Sequence, residues 1–198
     1  AEKLLLALVN KNPEDAELTY TLASNYLAMG FEPKAITWYE KAVLVDASKS
    51  KWFFELGLLY SNTNNYKKAV IAYNKAAELG FIKGNDFNEN LGFAYIYSSD
   101  FDNGARLLDD LISRRPGDKE LIRDVATAFY DSKNYDKSLD YCQKLLEMDM
   151  KDGKALYQAG LCFQKKGMTE KGMQMCDKAI EMDPSLASLR SKKSLPGM

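Results

Sequence analysis

The chain has 198 residues, of which 46% are hydrophobic and 28% are charged, and its formal net charge is −1. This composition predicts a folded chain, and the near-neutral charge argues against nucleic acid as a partner. Histidine is absent, which excludes serine–histidine and cysteine–histidine catalysis within this chain and removes the commonest zinc ligand, so we expect no enzyme activity, metal or cofactor.

The first predicted element is an amphipathic helix within residues 1–15. Leu4, Leu5 and Leu8 recur at helical spacing, and Pro13 closes the segment. The apolar run that begins at Leu4 is far shorter than the roughly 18 to 20 residues that span a bilayer, and it lacks a basic leader. The sequence therefore predicts no membrane insertion.

After residue 15 the chain repeats itself every 34 or 35 residues. The recurring pattern is an apolar residue, then a small residue, then an aromatic residue one helical turn later. Its five copies are Leu22-Ala23-x-x-Tyr26, Leu56-Gly57-x-x-Tyr60, Leu91-Gly92-x-x-Tyr95, Val125-Ala126-x-x-Phe129 and Ala159-Gly160-x-x-Phe163. Twelve residues after each small residue comes another: Ala35, Ala69, Gly104, Ser138 and Gly172. With a turn signal between the halves, each unit is predicted to be two antiparallel helices that must stack on neighbouring units to bury both faces.

This pattern resembles the tetratricopeptide repeat (TPR). The resemblance implies an all-α fold, an α-α superhelix (TPR solenoid) of five full helix-turn-helix repeats plus an N-terminal partial repeat and a C-terminal capping helix. The predicted parts of this single array are the second helix of a truncated repeat (1–15), the repeats 16–49, 50–83, 85–118, 119–152 and 153–186, and a capping helix and tail (187–198).

The sequence departs from the family pattern at two glycines. Gly104 and Gly172 stand in second helices where alanine is usual. Glycine inside a helix is less favourable than alanine by roughly 0.5 to 1 kcal/mol. The third and fifth repeats are therefore expected either to be locally softer or to pack their helices unusually closely.

In proteins that resemble this one, first helices line a concave groove that binds peptides. Mapping the groove-facing positions onto this sequence gives a candidate peptide-binding set: Tyr20, Phe54, Leu58, Asn90, Phe93, Tyr97, Arg123, Tyr130 and Tyr157. Aromatic side chains supply much of the energy at protein interfaces, so this surface favours a peptide with apolar anchors. The alternative is that several of these side chains pack against neighbouring repeats.

The resulting functional hypothesis is a protein-interaction scaffold or adaptor with a protein or peptide partner. Two alternatives stay open: a regulatory or targeting segment of a larger, possibly enzymatic protein, and a self-associating module that forms homo-oligomers through its terminal helices. Three cysteines at packing positions, Cys142, Cys162 and Cys176, predict buried, inert thiols. We expect a cytoplasmic location, with the periplasm after signal removal as the alternative.

Overall fold

The computed structural model describes residues 2–191. Within this range the backbone forms α-helices joined by short turns, with one 3-10 turn at Pro184–Leu186 and no strand. The helices, in chain order, are α1 (Glu2–Lys11), α2 (Ala16–Ala28), α3 (Glu32–Val45), α4 (Ser50–Asn62), α5 (Tyr66–Glu78), α6 (Asn85–Tyr97), α7 (Phe101–Arg114), α8 (Lys119–Asp131), α9 (Tyr135–Met148), α10 (Gly153–Lys165), α11 (Thr169–Met182) and α12 (Ala187–Ser191).

The even-numbered helices α2 to α10 are the first helices of the repeats. They begin at Ala16, Ser50, Asn85, Lys119 and Gly153. The helix predicted within residues 1–15 is α1, which packs against α2. Of the predicted capping segment, the part up to Ser191 is α12, and residues 192–198 lie outside the described part of the chain.

The chain divides into two compact units, residues 1–107 (unit 1) and 108–198 (unit 2), with the boundary inside α7. In unit 1 the core includes Leu22, Tyr39 and Tyr73, each at most 2% exposed. In unit 2 the side chains of Phe129 and Leu145 are fully buried. Burial of such large apolar side chains, at roughly 25 cal/mol per Å² removed from water, is the main force that holds each stack of helices together.

Each repeat turns from its first to its second helix through one residue in the left-handed region, with φ between 60° and 86°: Gly30, Asn64, Ser99, Lys133 and Gly167. The following residue donates its N–H to the carbonyl of the signature aromatic, as Met168 does to Phe163 at 2.9 Å. This bond satisfies a carbonyl that the helix end would leave open. The turn signal in the sequence therefore has one structural meaning in all five repeats.

The glycines of the second helices mark close contacts between helix backbones. A Cβ atom on Gly104 would lie 2.6 Å from a side-chain carbon of Ile96 and 3.0 Å from the carbonyl oxygen of Gly92. A Cβ atom on Gly172 would lie 2.8 Å from the backbone nitrogen of Gln164. Of the two expectations for these glycines, close packing is therefore the one that the structure supports.

Candidate protein-interaction surfaces

Six of the predicted groove residues belong to unit 1 and stand on its three first helices. All six are partly exposed, and we call them the unit 1 row: Tyr20, Phe54, Leu58, Asn90, Phe93 and Tyr97. Partial exposure leaves each side chain with an inner contact and an outer face. The inner contacts differ from residue to residue.

Tyr20, on α2, packs against α4, which is the first helix of the next repeat. Its ring stacks on Trp52 of α4 with centroids 4.7 Å apart and planes 11° apart, and it meets Tyr39 edge-on at 5.5 Å. The phenol donates a hydrogen bond of 3.3 Å to Glu55. Tyr20 therefore ties α2 to α4 and keeps only part of its ring available to another molecule.

Phe54, on α4, is the centre of an aromatic cluster. Its ring stacks on Phe81 at 4.5 Å and on Phe87 at 5.8 Å, and it packs at 5.8 Å against Tyr73. Leu58, one turn further along α4, also packs against the core of unit 1. Both side chains therefore have packing contacts within unit 1, and truncating either one would open space there.

Asn90, Phe93 and Tyr97 share α6. The Asn90 amide donates a hydrogen bond of 2.7 Å to the carbonyl of Asp86 in the preceding turn. Tyr97 stacks on Tyr66 of α5 with centroids 4.7 Å apart. Phe93 is half-buried and lies between the two along the helix. The part of the unit 1 row on α6 thus combines two aromatic rings with one amide.

Arg123 is the charged member of the predicted set and lies on α8 of unit 2. Its guanidinium donates two hydrogen bonds, of 3.3 and 3.0 Å, to the two carboxylate oxygens of Asp152. Burial alone would raise the pKa of Asp152, but the bonds from Arg123 and from the Ala155 N–H outweigh it and hold that pKa below its usual range. The pair joins two repeats, since Asp152 caps the start of α10 through Ala155 at 2.9 Å.

Tyr130 and Tyr157 complete the predicted set, and they differ in exposure. Tyr130 is half-buried, and its ring meets Tyr135 edge-on at 5.5 Å; burial raises its pKa. Tyr157 is only 5% exposed and belongs to a buried cluster with Cys176, Ala179 and Leu186. Its ring is therefore a packing element in this structure and not the exposed anchor that the sequence suggested.

Between the first helices of unit 2 lies an open cavity of about 190 Å³ that sequence reasoning missed. Arg123 and Thr127 of α8 line it together with Lys154 and Gln158 of α10, among mostly apolar walls that include Ala155, Tyr157, Leu186 and Leu189. The sequence carried a partial signal, because both polar pairs have the four-residue spacing of one helix face. It gave no indication that the two pairs meet around one empty space.

Unit 1 has a larger and more apolar hollow on its second helices. This space of about 770 Å³ lies between α3 and α5, over a floor from α4 that includes Leu56 and Tyr60. Leu44 and Ile71 stand at its sides and are 82% and 69% exposed. No sequence pattern set these two residues apart from the buried apolar positions of the same helices.

The described residues also bear on metal binding and on thiol chemistry. They contain no group of three or more cysteine, aspartate or glutamate side chains that could hold a metal ion. Cys142, Cys162 and Cys176 are buried, as the sequence predicts, and burial raises the pKa of the Cys142 thiol to about 12. Thiols in this environment are poor nucleophiles.

Solved structures of known proteins share this fold. The crystal structure of YrrB, described as a TPR protein with an unusual peptide-binding site, is 24% identical and superposes with a TM-score of 0.60 over 98% of this chain and 100% of that chain. MamA from Desulfovibrio magneticus RS-1 is 16% identical, with a TM-score of 0.61 over 86% of this chain and 96% of that chain. At these identities the likeness shows the fold alone.

A curated human protein matches part of the sequence. It is the protein O-mannosyl-transferase TMTC1 of Homo sapiens, 28% identical over 133 residues. The match covers 66% of this chain but only 15% of that much longer protein.

None of the helices that the structure describes is both long and apolar enough to cross a membrane.

Family models described as tetratricopeptide repeat match residues 53–79, 90–153 and 153–186. Together these matches cover more than half of the chain, and they coincide with the helix pairs of the structure. The predicted class, an all-α fold of stacked helix-turn-helix repeats, is thereby confirmed. The chain belongs to the tetratricopeptide repeat family.

Proposed function

We propose that the chain is a protein-interaction scaffold whose first helices bind a peptide or protein segment through the unit 1 row. The proposal rests on the exposure of that row, because its aromatic and aliphatic side chains on three successive first helices are partly exposed. TPR repeats are typically interaction modules, and YrrB, which shares the fold, is described as having an unusual peptide-binding site. Half-buried rings suit this role because they are rigid and already partly desolvated.

Phe93 is the best residue to test, because Tyr20 and Phe54 also hold the unit together. Peptides would be selected from a displayed random library on the immobilised chain, and their affinities measured by calorimetry. We expect Phe93→Ala to weaken the selected peptides by about 2 kcal/mol, or about 30-fold. The matched control is Ile71→Ala, which removes an exposed aliphatic side chain from the second-helix hollow and should leave the affinity unchanged.

Two results would contradict this assignment. Loss of affinity in Ile71→Ala with none in Phe93→Ala would move the site to the second helices. Failure to select any peptide, with the chain sedimenting as a dimer or larger species, would favour self-association, the hypothesis that the exposed Leu4 and Leu8 of α1 suggest.

A second candidate function is a non-catalytic segment of a larger protein. The match to a small part of the human O-mannosyl-transferase favours it, because the segment similar to this chain is there part of a much longer protein. In that arrangement this chain would itself perform no chemistry and would position the larger protein on its partners. The sequence of the complete reading frame decides between the two candidates.

We propose the cytoplasm as the compartment, since the cysteines of the described residues are buried and none takes part in a disulfide. The periplasm remains the alternative, and fractionation of cells that express the tagged full-length protein separates the two.

A further inference from the structure

The outward side of α1, α3 and α5 carries two hollows with one ridge between them, and we call it the second-helix face of unit 1. The larger hollow is the space of about 770 Å³ between α3 and α5. The smaller one, of about 410 Å³, lies between α1 and α3, with Val9 on its α1 side and Trp38 and Val45 on its α3 side. Leu44 of α3 lines both hollows and therefore stands on the ridge that separates them.

Large aliphatic side chains on this face are in contact with water. Leu44 is 82% exposed and Ile71, on α5, is 69% exposed. Covering a side chain of this size stabilises a complex by roughly 1.5 to 3 kcal/mol when the burial is complete. Apolar surface that is gathered in one place and rimmed by polar groups marks a site of contact with another protein.

The charges on the rim of the larger hollow balance each other. Lys68 of α5 pairs with Glu40 of α3 at 3.0 Å, and Lys75 pairs with Glu78 at 3.2 Å. A rim of two lysines and two glutamates does not favour a strongly acidic or a strongly basic partner. It is complementary to an identical rim, because each carboxylate can meet a lysine of the other copy.

The ridges and hollows of the face also fit one another under a two-fold rotation. Across the face the order is α1, the smaller hollow, α3, the larger hollow and α5. The three helices run in the same direction, since α3 and α5 are the second helices of their repeats and α1 takes the same place before the first repeat. A two-fold axis parallel to them places α3 of one copy over the larger hollow of the other and α5 over the smaller hollow.

We propose that the second-helix face of unit 1 binds a second copy of the chain and forms an isologous dimer. Leu44 of each copy fills the larger hollow of the other, and Ile71 fills the smaller one. Rotation about an axis parallel to the helices keeps the height of every residue along them. Glu40 therefore lies level with Lys68 of the partner subunit, just as it lies level with Lys68 of its own chain.

The dimensions of the face suit a small dimer interface. The helices have 10, 14 and 13 residues. At about 1.5 Å per residue and roughly 10 Å between neighbouring helices, the face covers about 600 Å² in each copy, or about 1,200 Å² for two. Specific interfaces begin at about that area, so we expect a reversible dimer with a Kd on the order of 10 μM.

The inference goes beyond the proposed function because it uses the second helices, whereas the unit 1 row belongs to the first helices. A dimer would carry that row twice. Two linked sites bind a ligand that has two matching segments more tightly than one site does, without any new contact.

Sedimentation equilibrium of the chain between about 1 and 200 μM tests the dimer at concentrations on both sides of the expected Kd. Leu44→Ser should weaken dimerisation at least tenfold. The matched control is Ile82→Ser, because Ile82 is 86% exposed but lines neither hollow, and it should leave the Kd unchanged. Both side chains are largely in water, so neither change should lower Tm.

Cross-linking tests the arrangement of the two copies. The two-fold rotation brings Leu44 of both copies to the same height on neighbouring helices, so Leu44→Cys should form a disulfide-linked dimer under mild oxidation. Ile82→Cys should stay monomeric under the same conditions. The natural cysteines are buried and should not contribute to the linkage.

Three results would overturn the inference. A wild-type chain that is monomeric at 200 μM would leave the face to a helix of another protein. Equal weakening by Leu44→Ser and Ile82→Ser would mean that the contact is not specific. Loss of the dimer in Leu4→Ser but not in Leu44→Ser would assign self-association to the end of α1. Peptide affinity in Phe93→Ala is measured separately, so failure of the dimer and failure of the unit 1 row are distinct observations.

Discussion

Gly160 and Gly172 bring the backbones of α10 and α11 into contact, since a Cβ atom on Gly160 would lie 2.7 Å from the carbonyl oxygen of Gly172. Contacts this short do not tolerate a side chain on either helix. The glycines of the fifth repeat are therefore required by the distance between its helices, although each reduces helix propensity.

The first prediction is that Gly172→Ala destabilises the protein. Alanine should improve helix propensity by about 0.5 to 1 kcal/mol, but its methyl group would meet backbone atoms of Gly160 and Gln164, and overpacking of this kind costs about 1 to 3 kcal/mol. Urea unfolding followed by circular dichroism measures the net loss. Gly117→Ala is the control, because no atom lies near its Cβ position and the change should be neutral or slightly stabilising. A stabilised Gly172→Ala would show that α10 and α11 separate readily.

The second prediction concerns Lys133, a non-glycine residue at φ 63° in the turn of the fourth repeat. A left-handed backbone costs a residue with a side chain roughly 1 to 2 kcal/mol, and glycine avoids most of that cost. Glycine also gives the unfolded chain more conformational freedom, which offsets part of the gain. Lys133→Gly should therefore raise the free energy of unfolding by about 0.5 kcal/mol.

The equivalent turn of the fifth repeat supplies the opposite test. Gly167→Ala introduces a side chain at φ 86° and should lower the free energy of unfolding by about 1 kcal/mol, as measured by urea unfolding of both variants. If both changes had the same sign, the left-handed turns would not be the source of the effect.

The repeat pattern predicts this fold well because the features that define it are local. A small residue, an aromatic one turn later and a turn signal recur at fixed spacing, and the five first helices begin where that spacing places them. The structural role of Gly104 and Gly172 is harder to predict, because the sequence alone permits either a less stable helix or a close contact between two helices. Only the distances from Gly92 and Gly160 decide between them.

The candidate site is predicted less well because equivalent positions differ in surroundings. Tyr20, Phe54 and Tyr157 share the fifth position of their repeats, yet Tyr20 stacks on Trp52 while Tyr157 is buried. The outcome depends on what packs against each position, which is Trp52 for Tyr20 and a cluster with Cys176, Ala179 and Leu186 for Tyr157.

The third prediction is that the three cysteines react slowly in the native protein. Burial raises the pKa of Cys142 to about 12, and burial likewise raises the pKa of Cys162, so few thiolates form at neutral pH. Reaction with a chromogenic disulfide reagent should be at least about 100-fold slower in buffer than in denaturant, where all three thiols are exposed. A fast native phase would identify a cysteine that the fold does not protect.

The fourth prediction is that the Arg123–Asp152 pair makes stability depend on pH in the acid range. The Asp152 side chain is only 8% exposed; it receives two bonds from Arg123 and caps α10. Asp152→Asn should lower the free energy of unfolding at pH 7 by about 1 to 3 kcal/mol, because the guanidinium would lose its counter-charge in a half-buried place. Glu120→Gln, which removes a carboxylate that is 81% exposed and 3.7 Å from Arg123, should change it by less than about 0.5 kcal/mol.

The pH dependence follows from the lowered pKa of Asp152 in the folded state. A carboxyl group whose pKa is lower in the folded than in the unfolded chain stabilises the fold above its unfolded pKa of about 3.9. That contribution is lost as the pH falls through the folded pKa, where Asp152 becomes protonated in the native protein. The difference in unfolding free energy between wild type and Asp152→Asn should therefore be constant from pH 7 to about pH 5 and shrink below about pH 4. Urea unfolding of both proteins across this range measures it, and a difference that stayed constant into the acid range would mean that the Asp152 charge contributes nothing and that the variant acts through packing alone.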